Sequence, residues 1–97
     1  MIVDFGDRAT EDIYNGKDTR DARRIPSSIW GVARRKLDMI DAAHALTDLR
    51  VPTGNRLESL KGDLVGYHSI RVNDQYRIVF RFGKGSAGNV RITDYHS

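Results

Sequence analysis

Residues 62–96, GDLVGYHSIRVNDQYRIVFRFGKGSAGNVRITDYH, leave this chain little choice of fold. Three short runs alternate apolar with polar residues, and turn signals separate them. Residues 67–72 read as a strand with Ile70 and Val72 on one face, and Asn73-Asp74-Gln75 turns the chain. Residues 76–82 are the clearest strand, with Ile78, Phe80 and Phe82 on one parity and Arg77 and Arg81 on the other. Residues 83–89 read as a flexible glycine-rich loop; the glycine spacing lacks the strand-to-helix context of a dinucleotide site. Val90 and Ile92 return to the core parity, with Arg91, Thr93 and Tyr95 opposite. The sheet therefore has one face to bury. Its other face collects Arg71, Arg77, Arg81, Arg91 and Tyr95, a lining suited to phosphates and unstacked bases.

The cover for the apolar face lies upstream. Ile2, Val3 and Phe5 read as a first strand ended by Gly6, and Asp7 or Thr10 can cap a short helix through about Asn15, stopped by Gly16. Residues 17–24, KDTRDARR, read as a charged loop. Pro26-Ser27-Ser28 opens the main helix, with Pro suited to the first turn and Ser to the cap. Ile29, Ala33, Leu37, Ile40 and Ala43 recur at helical spacing to about His44, and Trp30 reads as packing. An extra turn follows at 45–49, a loop at 51–55 and a short extended segment at 56–60. Strand, two helices and a run of antiparallel strands make an α+β fold, with the N-terminal strand and both helices packed on one face of a mainly antiparallel sheet.

Composition narrows the function classes. At 97 residues the chain is expected to be a single domain, residues 1–97. It has no cysteine, which excludes a disulfide framework or a thiolate metal site. The sequence shows neither a signal peptide nor a long apolar run, so a cytoplasmic location is expected. Charge is uneven: residues 1–49 hold 8 Lys/Arg against 9 Asp/Glu, and residues 50–97 hold 8 against 4. The basic excess sits with the sheet, as a polyanion partner requires; solvated Arg on exposed strands explains it equally.

Three stretches carry a resemblance to a known family. They are Val51-Pro52-x-Gly54-Asn55-Arg56-Leu57-Glu58-x-Leu60-Lys61-Gly62-Asp63, His68-Ser69-Ile70-Arg71-x-Asn73-Asp74-Gln75-Tyr76-Arg77-Ile78, and Val90-x-Ile92-x-Asp94-Tyr95-His96. Together they resemble the HigB-type toxins of the RelE/ParE toxin–antitoxin superfamily. The resemblance implies a bacterial, ribosome-dependent endoribonuclease that cuts messenger RNA and inhibits translation. It also implies a cognate HigA-type helix-turn-helix antitoxin, and through it an indirect link to operator DNA. Carried over by motif, the catalytic residues are Lys61, Arg77, Asp94, Tyr95 and His96. The chain departs from some relatives at Glu58, where they carry His, so Glu58 becomes a further candidate base.

No metal-ligand cluster stands out in the sequence and no cofactor is expected, so the chemistry is assigned to side chains. Cleavage must deprotonate a 2′-OH, stabilise a crowded phosphate and reprotonate the 5′-oxygen, leaving a 2′,3′-cyclic phosphate and a 5′-OH. His96 titrates nearest neutral pH. Asp94 can orient it or act as base, and Tyr95 can stack on a base or share in proton transfer. Glu58, Asp94 and His96 all stay open as the general base. Arg77 and Lys61 are expected to stabilise phosphate charge, while Arg56, Arg71, Arg81 and Arg91 hold the RNA backbone. Arg77 can instead pair with Asp94 across the sheet, and His68, on the apolar parity, reads as a packing residue. Fold alone does not separate this enzyme from a non-enzymatic ParE-like toxin acting on DNA gyrase, or from a non-catalytic RNA- or ribosome-binding module.

Overall fold

The computed structural model of the chain describes residues 1–94. A four-stranded antiparallel sheet runs in the order β1 (Glu58–Ser59), β2 (Tyr67–Arg71), β3 (Tyr76–Gly83), β4 (Ser86–Asp94). Helices α1 (Arg8–Tyr14) and α2 (Trp30–Ala42) pack on one face, α1 against β4 and α2 against β3 and β4. The expected α+β architecture is the observed one. Ile13 of α1, Leu37 and Ile40 of α2, and Ile70, Ile78, Phe80 and Val90 of the sheet form a core sealed from solvent. Each side chain of this size contributes about 1.5–3 kcal/mol when buried.

Local chemistry sets the ends of the helices. The Asp7 carboxylate accepts the Thr10 amide at 2.9 Å to cap α1, and Gly16, at φ 75°, takes the chain out of it. Thr10 does not cap. Its hydroxyl accepts the buried amide of Ile92 at 2.8 Å and so ties α1 to the end of β4. α2 starts later and ends earlier than its apolar stripe suggests. Ser27–Ile29 forms a 3-10 turn ahead of it, and neither serine makes a side-chain cap bond. Trp30 packs, its indole donating to the Ile25 carbonyl at 2.8 Å.

The sheet corrects two expectations, the loop at 83–89 and the N-terminal strand. Residues 83–89 are not a flexible loop: Lys84 and Gly85, at φ 53° and 76°, make a two-residue turn between Gly83 and Ser86, and β4 runs straight on. Further along, the pairs Val79–Arg91 and Arg81–Gly88 leave Phe80 opposite both Asn89 and Val90, a β-bulge with Asn89 at φ 52°. The bulge switches parity, so Ala87 and Val90 both face the core. The N-terminal residues form two isolated parallel bridges to β4, Ile2–Ala87 and Phe5–Val90, in place of a continuous strand. The bulge interrupts the ladder between them, and there the Asp4 carboxylate accepts the Asn89 amide. The chain passes close to β4 at Gly6, where a Cβ would lie 2.7 Å from Asn89 Oδ1 and 3.1 Å from the Asn89 carbonyl, so a larger residue would have to displace the Asn89 side chain. Among the described residues no helix is long and apolar enough to cross a membrane.

Candidate functional site

The sheet face away from the helices carries the arginine parity, but it is not an open arginine surface. Ser69 and Val79 are fully buried there, and Leu60 and Arg77 nearly so. β1 spans only two residues and does not cover this region; the chain before it folds against β2, and the Arg56 carbonyl reaches Arg77 of β3. The left-handed turn at Arg56, φ 46°, brings its carbonyl over Arg77.

Arg77 is the anchored cation of this face. Its Nε donates to Ser69 Oγ at 2.8 Å, and its Nη2 donates to the Arg56 carbonyl at 2.5 Å and the Ser69 carbonyl at 3.3 Å. Glu58 Oε2 lies 4.0 Å from the same nitrogen, and the Glu58 side chain is half exposed. Together with Arg56, Arg71, Asn73 and Asp74, these two residues line a cleft of about 260 Å³. Three guanidiniums and two carboxylates therefore face one solvent-filled space, with one guanidinium immobilised. Arg71 pairs with Asp74, and Asn73 Oδ1 shapes the turn beneath them by accepting the amides of Gln75 and Tyr76 at 2.8 and 2.7 Å. A rigid guanidinium with an exposed carboxylate at its side can hold a phosphate and place a proton acceptor near it.

The other proposed residues divide. Arg56, Glu58, Arg71 and Arg77 come together at the cleft. Arg81 and Arg91 form a second cluster, stacking on the Tyr67 ring at 4.6 and 5.4 Å from its centroid. The Tyr67 hydroxyl accepts the Asn89 amide. Hydrogen bonding from Arg81, and next from Asn89, holds that phenol's pKa below its ordinary value. Lys61 is exposed at the start of the 3-10 turn Gly62–Leu64 and does not line the cleft. Asp94 registers with Tyr76 on the helix-facing parity, and its Oδ2 accepts from Gln75 Nε2 at 3.0 Å, whereas Arg77 registers with Thr93. A cross-strand Arg77–Asp94 pairing is thus not the arrangement that register produces. Tyr95 and His96 lie outside the described residues. His68 packs as expected, its ring tilted against Phe80 at 6.1 Å, with Nδ1 3.1 Å from Ser59 Oγ.

Ser69, Asn73 and Asp74 joined the site unannounced. Ser69 shares the parity of Arg71, and a small hydroxyl beside an arginine on that parity was the available signal. Among the described residues no group of three His, Cys, Asp or Glu is placed to hold a metal.

Residues 3–96 match the model of a protein family described as the RelE-like toxin of the type II toxin–antitoxin system HigB. The chain is 48% identical over 89 residues to Toxin HigB-1 of Vibrio cholerae, spanning 92% of each. It is 39% identical over 61 residues to Endoribonuclease HigB of Proteus vulgaris, covering 63% of this chain and 65% of that one. Among solved structures, a chain of the YoeB–YefM complex from Staphylococcus aureus superposes with a TM-score of 0.61 at 18% identity, over 100% of this chain and 99% of that one, a likeness of fold. A matched family model over nearly the whole length, and a relative at this identity and coverage, place the chain in the HigB-like family of RelE-like toxins of type II toxin–antitoxin systems.

Proposed function

We propose that the chain is a ribosome-dependent endoribonuclease that cuts messenger RNA and so inhibits translation and growth. The observation that carries this reading is Arg77, a guanidinium fixed by Ser69 and the Arg56 carbonyl in the floor of a cationic cleft, with Glu58 Oε2 4.0 Å away. An enzyme that stabilises a crowded phosphate without reorganising needs its donor already in place. Arg77 holds the scissile phosphate, and Arg56 and Arg71 hold the backbone beside it. The 2′-OH loses its proton to a general base drawn from Glu58, Asp94 and His96, its oxygen bonds to phosphorus, and the phosphorus–5′-oxygen bond breaks as the 5′-oxygen takes a proton from Tyr95, or from His96 when His96 is not the base. Lys61 and Tyr95 complete the catalytic set when the ribosome and RNA are bound. Membership of a toxin–antitoxin family implies a cognate antitoxin. We assign it to the HigA helix-turn-helix type, which links the pair to operator DNA. The name of the Proteus vulgaris relative supports the endonuclease reading.

The test is cleavage of messenger RNA on programmed ribosomes by the purified chain. The expected products carry a 2′,3′-cyclic phosphate and a 5′-OH, and Arg77→Ala and His96→Ala are each expected to slow cutting by about 100-fold or more. Variants that cut like the parent mean that the site is misassigned. Intact messenger with inhibited DNA supercoiling would replace the nuclease with a gyrase-directed toxin, and ribosome binding without any cutting would leave a non-catalytic module.

A further inference from the structure

A second groove, of about 380 Å³, runs between α2 and the end of β2 and shares Arg71 with the first. It is lined by the cations Arg35, Lys36 and Arg71, by the apolar Val32, Met39 and Val72, and by Gly54, with no carboxylate among its lining residues. The cleft around Arg77 contains two. Lys36 is held in place. Its Nζ donates to Oδ1 of Asn55, which is fully buried, and the Asn55 amide is fixed by the Leu49 carbonyl at 3.2 Å and Met39 Sδ at 3.9 Å. Burial first, then the nearby charges of Arg35 and Arg71, holds the Lys36 ammonium below its ordinary pKa. Arg35 is exposed and makes no ion pair among the described residues. Three cations line one space; Arg71 is paired with Asp74, whereas Arg35 and Lys36 have no carboxylate partner among the described residues, and an excess of that kind is relieved by an anion.

We infer that Arg35, Lys36 and Arg71 form a second phosphate subsite, which seats an RNA phosphate next to the one held at Arg77 while Val32, Met39 and Val72 receive the apolar face of its nucleotide. This rests on the RNA reading above and extends it, because the two grooves meet at Arg71. The phosphate belongs either to the messenger strand or to ribosomal RNA, and both present the same chemistry. Binding is separable from cutting, so the subsite stands or falls independently of the nuclease assignment.

The experiment measures binding of the full chain to three probes across a salt series: a short single-stranded RNA, ribosomes without messenger, and programmed ribosomes. Arg35→Gln removes an exposed charge. Lys36→Gln removes a charge but keeps a donor for Asn55. Each is expected to weaken binding roughly fivefold at about 0.1 M salt and to reduce the slope of log K against log salt by about one. Arg8→Gln, which removes one charge outside the groove, is the control and should leave the slope alone. A loss seen with free RNA and programmed ribosomes assigns the subsite to messenger, and a loss already present on messenger-free ribosomes assigns it to ribosomal RNA. Unchanged slopes for both variants on every probe, or an equal loss in Arg8→Gln, would overturn the subsite. A parent chain that binds RNA with the expected slopes but never cuts it would remove the nuclease reading and leave this one standing.

Discussion

Arg77 must stay put and yet meet a phosphate. Ser69 and Arg56 spend two of its nitrogens on the first task. Lysine keeps the charge but not the planar fork, so it cannot span both acceptors. Arg77→Lys is expected to lower unfolding free energy in urea by about 1.5–3 kcal/mol, the worth of hydrogen bonds to a charged group, and to slow messenger cleavage on ribosomes by about 100-fold. Normal cutting by a correctly folded Lys variant would show that charge alone suffices. Asp48 makes a different residue-scale prediction. Its Oδ2 accepts the amides of Ala45 and His44 at 3.1 and 3.0 Å, and these bonds hold its pKa below the ordinary 3.8. A carboxylate depressed on folding stabilises above its unfolded pKa, and that contribution fades as pH falls through the folded value. Asp48→Asn should therefore flatten the loss of stability in urea midpoints taken from neutral pH to below 3.8; parallel curves would sink the assignment.

At the scale of elements, β4 is governed by its bulge. Asn89 sits at φ 52°, a conformation in which a side-chain Cβ costs about 1–2 kcal/mol and which Asn tolerates better than most residues. Asn89→Gly and Asn89→Ala both lose the contact with Tyr67, but only alanine keeps the strain. The alanine variant should be the less stable by about 1 kcal/mol in urea unfolding; equal stabilities would mean that the bulge relaxes. The bulge was not legible. Ala87 fell within the stretch read as a loop, and its parity against Val90 and Ile92 has meaning only once β4 is known to begin at Ser86. The Lys84-Gly85 turn was hidden by its glycine-rich neighbours, because composition reports a turn without reporting its length. Helix α2 was easier to read, since Ala33, Leu37 and Ile40 follow its period and all three are fully buried.

At the scale of the whole molecule, one core serves both helices and the sheet that carries the cleft. Leu37 is fully buried in that core. Leu37→Ala is expected to cost about 2–5 kcal/mol, measured as a shift in the denaturation midpoint, and to leave residual activity in proportion to the folded fraction. A stable variant with lost cleavage would instead couple α2 directly to the site. The alternating runs of the last third, the stripe of α2, the turn at Asn73 and the motif that marks the family were all determined by the sequence by itself, because periods of two and 3.6 are properties of neighbouring residues. Which charges meet was decided only by the tertiary structure. Arg77 and Arg81 share a parity, yet one is buried under the Arg56 carbonyl and the other stacks on Tyr67. Arg35 and Lys36 come from the half of the chain with the acidic balance, yet they stand beside Arg71. Register, a left-handed turn and helix packing bring those groups together from distant positions, and no pattern along the chain records the distances that result.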